Sequence, residues 1–180
     1  MKQERIIIIT GPPGTGKTTV ASIIAQGSDL TKSVHIQTDD FYHYLCKGAI
    51  PPHLPESAEQ NLVVIDAFLE SAKCFARGGY DVIVDGIIGP WFLDPWKKAA
   101  QEKYEIHYIV LQASKQETLR RALTRTKLDR EHNIELVETM WEQFCHLGRL
   151  DCHVFDTTKC SIEETALSVK QKIKEKSYLL

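Results

Sequence analysis

Nine consecutive residues near the start of the chain have the types and spacing that hold a polyphosphate. They are Gly11, Pro12, Pro13, Gly14, Thr15, Gly16, Lys17, Thr18 and Thr19. The pattern G-x-x-x-x-G-K-[ST] is the P-loop, in which glycines let the backbone fold closely and turn its N–H groups toward phosphate. Lys17 is expected to reach the terminal phosphates, and the Thr18 hydroxyl to ligate Mg²⁺. The predicted ligand is a nucleoside triphosphate with magnesium.

The segments on either side of this loop supply the elements that it needs. Residues 6–9 are four isoleucines, which predict a short buried strand, and residues 20–25 read as a helix. The start of that helix adds a dipole that favours an anion. This order of strand, loop and helix separates a P-loop from a chance glycine-rich turn.

Two aspartates follow a second predicted strand at residues 34–37. Asp39 and Asp40 would stand at the carboxyl edge of a parallel sheet, where ligands bind. A carboxylate there can accept the proton of a hydroxyl that attacks a γ-phosphate, or it can hold the acceptor or the metal. The alternative is a pair of turn aspartates, or the N-cap of the next segment.

A third aspartate ends the apolar strand predicted at residues 81–85. Asp85 therefore resembles the acidic residue of a Walker B motif, which binds magnesium through water, and it could also touch the acceptor. The alternative is an aspartate that merely ends the strand in a turn with Gly86.

An arginine-rich segment follows the fourth predicted strand. Arg121 and Arg125 are four residues apart on a predicted helix and share one face, and Arg130 lies beyond them. Guanidinium groups match phosphate oxygens, and an arginine near the γ-phosphate stabilises the charge of the transition state. The alternative is a solvated basic face.

Strands and helices alternate along the whole chain, which predicts one α/β domain with a parallel sheet covered on both faces. The predicted strands are residues 6–9, 34–37, 81–85, 106–111 and 152–156. Helix boundaries follow from capping residues. These are Ser57 and Gly78 for a long helix, Asp94 as an N-cap, capping boxes at Ser114–Glu117 and Ser161–Glu164, and Asn133 as the N-cap of a helix that runs to Leu147.

Composition narrows the function further. The 180 residues carry a formal charge of −2, which argues against nucleic acid or a membrane surface as a partner. No apolar run is long enough to span a bilayer, and the apolar run near the start is too short for a secretory signal. Five cysteines without CxxC spacing fit reduced thiols, so a cytoplasmic protein is predicted.

These motifs together resemble the small P-loop kinases, most closely the chloramphenicol phosphotransferase-like group. Shikimate and gluconate kinases are more distant, and the TDDFY run at residues 38–42 is similar to uridine and nicotinamide riboside kinases. The resemblance implies a three-layer sandwich of the P-loop NTPase type with sheet order 2-3-1-4-5. It also implies a lid at residues 119–133. Separately, Pro51, Pro52 and Pro55 predict that residues 43–57 form an irregular flap on the acceptor side.

The same resemblance implies roles for individual residues. Asp39 would be the catalytic base, although the adjacent Asp40 leaves that choice open. Arg121 would pack on the adenine, and Arg125 or Arg130 would reach the transferring phosphate. Asp156 and Thr157 would border the adenine pocket.

Aromatic residues after Asp85 offer an acceptor-binding surface. Trp91, Phe92 and Trp96 could stack on an apolar acceptor, or they could seal the core beneath a loop.

The predicted function is a kinase that uses ATP and Mg²⁺ to phosphorylate a hydroxyl of a small molecule, as a monomer or homodimer. The acceptor is not identified by any motif. The alternative is a regulatory ATPase or switch that binds a partner protein, in which Asp39 and Asp85 serve only the metal and water. A kinase of nucleic-acid ends or of a sugar nucleotide is a third possibility, and the charge disfavours the former.

Overall fold

The centre of the molecule is a sheet of five parallel strands. The computed structural model describes residues 4–125 and 130–180, and side chains are described everywhere in these ranges except at residue 125 and residues 130–133. The strands are β1 (Arg5–Thr10), β2 (Ser33–Gln37), β3 (Asp81–Asp85), β4 (Glu105–Gln112) and β5 (Val154–Asp156). Their order is β2-β3-β1-β4-β5, which confirms the predicted topology.

Seven α-helices in the described part of the chain connect and cover the strands. They are α1 (Lys17–Gln26), α2 (Thr38–His43), α3 (Ala58–Arg77), α4 (Asp94–Glu102), α5 (Lys115–Arg125), α6 (Arg130–Gln143) and α7 (Ile162–Lys174). Short 3₁₀ turns lie at Pro55–Ser57, Pro90–Phe92 and Gly148–His153.

Alternate side chains of β1 enter two different cores. Ile6 and Ile8 pack on the side of α3 and α4, together with the fully buried Phe68 and Trp96. The intervening isoleucines pack on the other side, against α1 and α7. Because side chains alternate along a strand, an unbroken apolar run is what a strand covered on both faces requires. The predicted three layers are confirmed.

The register of the strands brings three loops to one edge. Asp85 is level with Ile9 of β1 on one side and with Gln37 of β2 on the other. The loop at residues 11–16, the start of α2 and the loop after β3 therefore leave the sheet side by side. This is the carboxyl edge, where open parallel sheets bind ligands.

Two predicted helix starts were wrong by a few residues. The Leu93 carbonyl accepts the first helical hydrogen bond of α4, from Lys97 N at 2.9 Å, so Leu93 is the N-cap and Asp94 is the first helical residue. Asn133 lies inside α6, because nothing between 130 and 132 breaks a helix and α6 begins at Arg130. The capping box predicted at Ser161 and Glu164 is present in full.

The start of β5 was also predicted too early. Cys152 and His153 belong to a 3₁₀ turn, and the strand begins at Val154. The buried His153 ring contacts the backbone of β4 through Nδ1, which lies 2.9 Å from the Tyr108 carbonyl oxygen.

Two further sequence predictions, on membrane spans and on cysteines, can be compared with the described residues. No helix among them is long and apolar enough to cross a membrane. The five cysteines lie within the described ranges and all of them are free.

Candidate active site

The loop between β1 and α1 is a tight turn that only glycine permits at its two ends. Gly11 has φ +134°, and a Cβ there would lie 2.0 Å from the Leu111 carbonyl oxygen of β4. Gly16 has φ +86° and is the N-cap of α1. The Thr15 hydroxyl and the Lys17 ammonium both donate to the Pro12 carbonyl at 2.9 Å. These two hydrogen bonds brace the loop at the N-terminus of α1, and backbone N–H groups at such a position bind phosphate.

The first turn of α1 meets the end of β3 through one short hydrogen bond. The Thr18 hydroxyl donates to Asp85 Oδ2 at 2.6 Å, and Asp85 is almost fully buried. A hydroxyl oxygen next to a carboxylate oxygen is a donor set that suits Mg²⁺. The two residues predicted as metal ligands are thus brought together.

A histidine that the sequence analysis missed completes this cluster. His35 Nε2 lies 2.8 Å from Asp85 Oδ1. The residue belongs to no motif, but a signal for it exists. In neighbouring parallel strands, His35 of β2 alternates onto the same sheet face as Asp85 of β3 once the register is known.

The two adjacent aspartates lie in the first turn of α2, and both are exposed. Gly86, the residue after β3, lies so close to this turn that only glycine fits. It has φ +151°, and a Cβ there would lie 1.8 Å from Thr38 Oγ1. The start of α2 is therefore packed directly against the residue that follows Asp85. Consecutive residues on a helix do not face the same way, so Asp39 and Asp40 point to different sides.

Tyr42 lies on the same helix as these aspartates. Burial, with the nearby Asp39 carboxylate as the second cause, raises the pKa of Tyr42 to about 12. Its phenol, like that of an unperturbed tyrosine, is protonated at neutral pH and can donate a hydrogen bond.

A cavity of about 470 Å³ opens beside the loop. Its walls are Gly14–Gly16, the side of α5 that carries Arg121, and the segment from Thr157 to Thr165. Arg121 closes one wall, with its guanidinium donating to the Thr157 carbonyl at 3.0 Å and to the Thr157 hydroxyl at 3.3 Å. Gly14–Gly16, Arg121 and Thr157, all predicted to bind the nucleotide, share this cavity.

Asp156, also predicted to bind the nucleotide, shapes the loop beside the cavity. Its carboxylate accepts hydrogen bonds from the hydroxyl and the backbone N–H of Thr158, and these bonds lower the pKa of Asp156. The carboxylate is thus directed at its own loop.

Glu117 holds the arginine on the cavity wall. Hydrogen bonds from Arg120, which has the larger effect, and from Arg121 lower the pKa of Glu117 to about 2. Its charged carboxylate lies 2.7 Å from Arg121 Nε, and its backbone N–H donates to Ser114 Oγ at 3.3 Å. Only one half of the capping box predicted at Ser114 is therefore present, because the Glu117 side chain pairs with arginines.

The arginines predicted to reach the transferring phosphate are not part of this geometry. The side chains of Arg125 and Arg130 lie outside the described residues, as do residues 126–129 of the predicted lid. Their roles stay predictions.

Of the aromatic residues after β3, some seal the core and one is exposed where an acceptor could bind. Trp96 is fully buried in the core, and the partly buried Phe92 packs against that core. Trp91 is 46% exposed, and its ring lies over Gly89 with its centroid 5.7 Å from that of Phe144. Trp91 thus has an exposed surface beside the loop that follows Asp85.

The segment predicted as an acceptor-side flap is tied to the start of α3. The Gln60 side chain pairs with both backbone groups of Ile50, accepting from N at 2.8 Å and donating to O at 2.7 Å. Asn61 Nδ2 donates to the Pro52 carbonyl at 2.8 Å. The Ser57 hydroxyl donates to two carbonyls of this loop and accepts from Asn61 Nδ2 at 2.8 Å, and it makes no cap hydrogen bond with the backbone of α3.

The chain is similar to several known proteins. A family model described as "AAA domain", AAA_18, matches residues 7–141. The cytidylate kinase of Archaeoglobus fulgidus is 33% identical over 89 residues, which are 48% of this chain and 48% of that protein. The match therefore spans about half the length of this curated relative.

Two solved structures share the fold over nearly their whole length. Shikimate kinase from Acinetobacter baumannii, in complex with shikimate, has a TM-score of 0.63 at 18% identity, covering 97% of this chain and 94% of that one. The APS kinase of Mycobacterium tuberculosis, in complex with AMPPNP and APS, has a TM-score of 0.66 at 16% identity, covering 97% and 99%. The predicted small P-loop kinase fold is confirmed.

Proposed function

Because the chain belongs to the AAA_18 family, we propose that it is an ATP- and Mg²⁺-dependent kinase that phosphorylates a hydroxyl group of a small molecule. The observation that carries this proposal is the contact between Gly86 and Thr38. It packs Thr38, the first residue of α2, against the residue that follows Asp85, and the candidate base Asp39 comes one residue later on that helix. In a nucleotide switch these aspartates would serve only the metal and water, so transfer to an acceptor is what distinguishes the kinase.

The residues at the site fit both implied ligands. The loop at residues 11–16 offers backbone N–H groups to phosphates, and the adjacent cavity is large enough for a nucleoside. Thr18 would ligate the metal directly and Asp85 would bind it through water. When bound, Mg²⁺ neutralises phosphate charge and orients the transferring group.

Each residue then has a defined role in transfer. Lys17 and the loop N–H groups hold the terminal phosphates, and Arg121 borders the base. Asp39 takes the proton of the acceptor hydroxyl as that oxygen bonds to the γ-phosphorus and the bond to the departing ADP breaks. Arg125 or Arg130 would neutralise the developing charge, and the lid would exclude water. Trp91 and Asp40 would contact the acceptor.

The named relatives support this assignment. All three are kinases by name, and one of them was solved with AMPPNP, an analogue of ATP. The net charge of −2 supports a small-molecule acceptor over a nucleic acid. A cytoplasmic location and a monomer or homodimer remain the expected setting.

Transfer of label from ATP tests the proposal. The protein is incubated with γ-labelled ATP, Mg²⁺ and fractionated metabolites, and label is expected in an organic phosphate. Label found only in inorganic phosphate, with every fraction supplied, would instead support the ATPase or switch. Replacing Lys17 with alanine is expected to lower transfer by about 10²-fold or more, because a positive charge on the phosphates is lost.

Gly86→Ala tests the contact that holds α2. Its Cβ would lie 1.8 Å from Thr38 Oγ1, so α2 must move away from β3. Transfer is expected to fall by about 10²-fold while ATP affinity changes little, because the base is displaced and the phosphate loop is not. Gly148→Ala is the control, since this glycine also has positive φ, +61°, but a Cβ there meets nothing within 4 Å. Equal losses in the two variants would contradict the proposed contact.

A further inference from the structure

His35 contacts the candidate metal site, but the transfer mechanism above gives it no role. It lies on β2, where Val34 and Ile36 pack on the side of α3 and α4. Alternation turns His35 to the opposite face of the sheet, toward Asp85. Its side chain is 17% exposed, so the ring lies mostly inside the protein at the site edge.

The Asp85 carboxylate is held from two directions. Thr18 donates to Oδ2 at 2.6 Å, and the His35 ring contacts Oδ1 at 2.8 Å. An ionised carboxylate only accepts hydrogen bonds, so the His35 nitrogen that faces it is the protonated Nε2. With one partner on each oxygen, rotation of the buried carboxylate about its own axis is restricted.

We propose that His35 is a positioning residue that holds Asp85 in the orientation needed to bind Mg²⁺ with the nucleotide. This inference rests on the proposed function, because it assumes that Thr18 and Asp85 would hold Mg²⁺. Hydrogen-bond partners of metal-binding side chains orient those side chains, and their loss typically lowers metal affinity by about 10- to 100-fold. The ring fixes Oδ1, and Oδ2 is thereby kept on the side of Thr18.

A purely structural role for His35 makes a different prediction. If the ring only fills space between β2 and α1, its loss lowers stability but leaves the Mg²⁺ requirement unchanged. If the ring orients Asp85, its loss raises the Mg²⁺ concentration needed for tight nucleotide binding. A variant that again places a hydrogen-bond donor next to Asp85 Oδ1 should then need no more Mg²⁺ than the wild type.

The test is a Mg²⁺ titration of ATP binding, measured by calorimetry on the full chain. In His35→Leu, the half-saturating Mg²⁺ concentration is expected to rise by about 10-fold or more, while ATP binding in EDTA is unchanged. In His35→Gln, whose amide nitrogen can occupy the place of Nε2, the half-saturating concentration is expected to stay near that of the wild type. Val34→Ala is the control, because it alters the same strand on the opposite face.

The outcomes separate this inference from the proposed function. An unchanged Mg²⁺ requirement in His35→Leu, with wild-type binding dependent on Mg²⁺, overturns the role of His35 and leaves the kinase proposal standing. The same holds if His35→Gln is as impaired as His35→Leu. Absence of Mg²⁺-dependent ATP binding in the wild type would overturn both. If His35→Leu does not fold, His35→Asn serves instead, because its shorter amide falls short of Asp85.

Discussion

Replacing Asp39 with asparagine is expected to lower phosphoryl transfer by about 10²- to 10⁴-fold, the usual contribution of a general base. ATP affinity should remain close to that of the wild type, because Asp39 lies on α2 and outside the phosphate loop. Asparagine has nearly the same shape as aspartate but cannot take a proton at neutral pH. The measurement is initial rate of transfer from labelled ATP, with ATP affinity determined by calorimetry on the same samples.

The neighbouring aspartate provides the matched control. Asp40→Asn makes the same chemical change one residue along the same exposed helical turn, where the side chain points to a different side. It is expected to change acceptor affinity more than the maximal rate. If Asp40→Asn lost transfer and Asp39→Asn kept it, the two roles would be exchanged. If both kept full transfer, neither carboxylate would be the base.

Replacing Arg5 with methionine is expected to lower the free energy of unfolding by about 3–5 kcal/mol, since it leaves a buried carboxylate without its charge partner. Arg5 forms two hydrogen bonds with Asp81, at 2.8 and 2.7 Å, across the neighbouring strands β1 and β3. The Asp81 side chain is 1% exposed. Burial alone would lower the pKa of Arg5, but its hydrogen bonds with Asp81 and Asp29 raise it above the usual value.

Denaturant unfolding of purified variants measures this effect. Lys97→Met is the control, because Lys97 pairs with Asp94 in an exposed contact at 3.6 Å and its loss should cost less than about 1 kcal/mol. Arg5→Met combined with Asp81→Leu should recover part of the loss, since no unpaired charge then remains. A cost for Arg5→Met no larger than that for Lys97→Met would show that the buried pair contributes little.

The fold could be predicted because its signals are local and mutually consistent. Four consecutive isoleucines, a glycine-rich turn and a helical segment occur in that order, and each fits its neighbours. The capping box at Ser161 and Glu164 was predicted correctly for the same reason, since both residues lie in one helical turn. The start of β5 was missed because a contact between His153 and the distant Tyr108 decides it.

The candidate site shows the same division. The sequence alone predicted a phosphate loop, the aspartates after β2 and β3 and the arginine of α5 as site residues, because each belongs to a short motif with its own chemistry. Tertiary structure alone decided that His35 contacts Asp85, that Trp96 is buried whereas Trp91 is exposed, and that Arg5 pairs with Asp81. These are contacts between segments far apart in the chain. Their existence depends on strand register and on which sheet face is covered, and neither is encoded in the spacing of neighbouring residues.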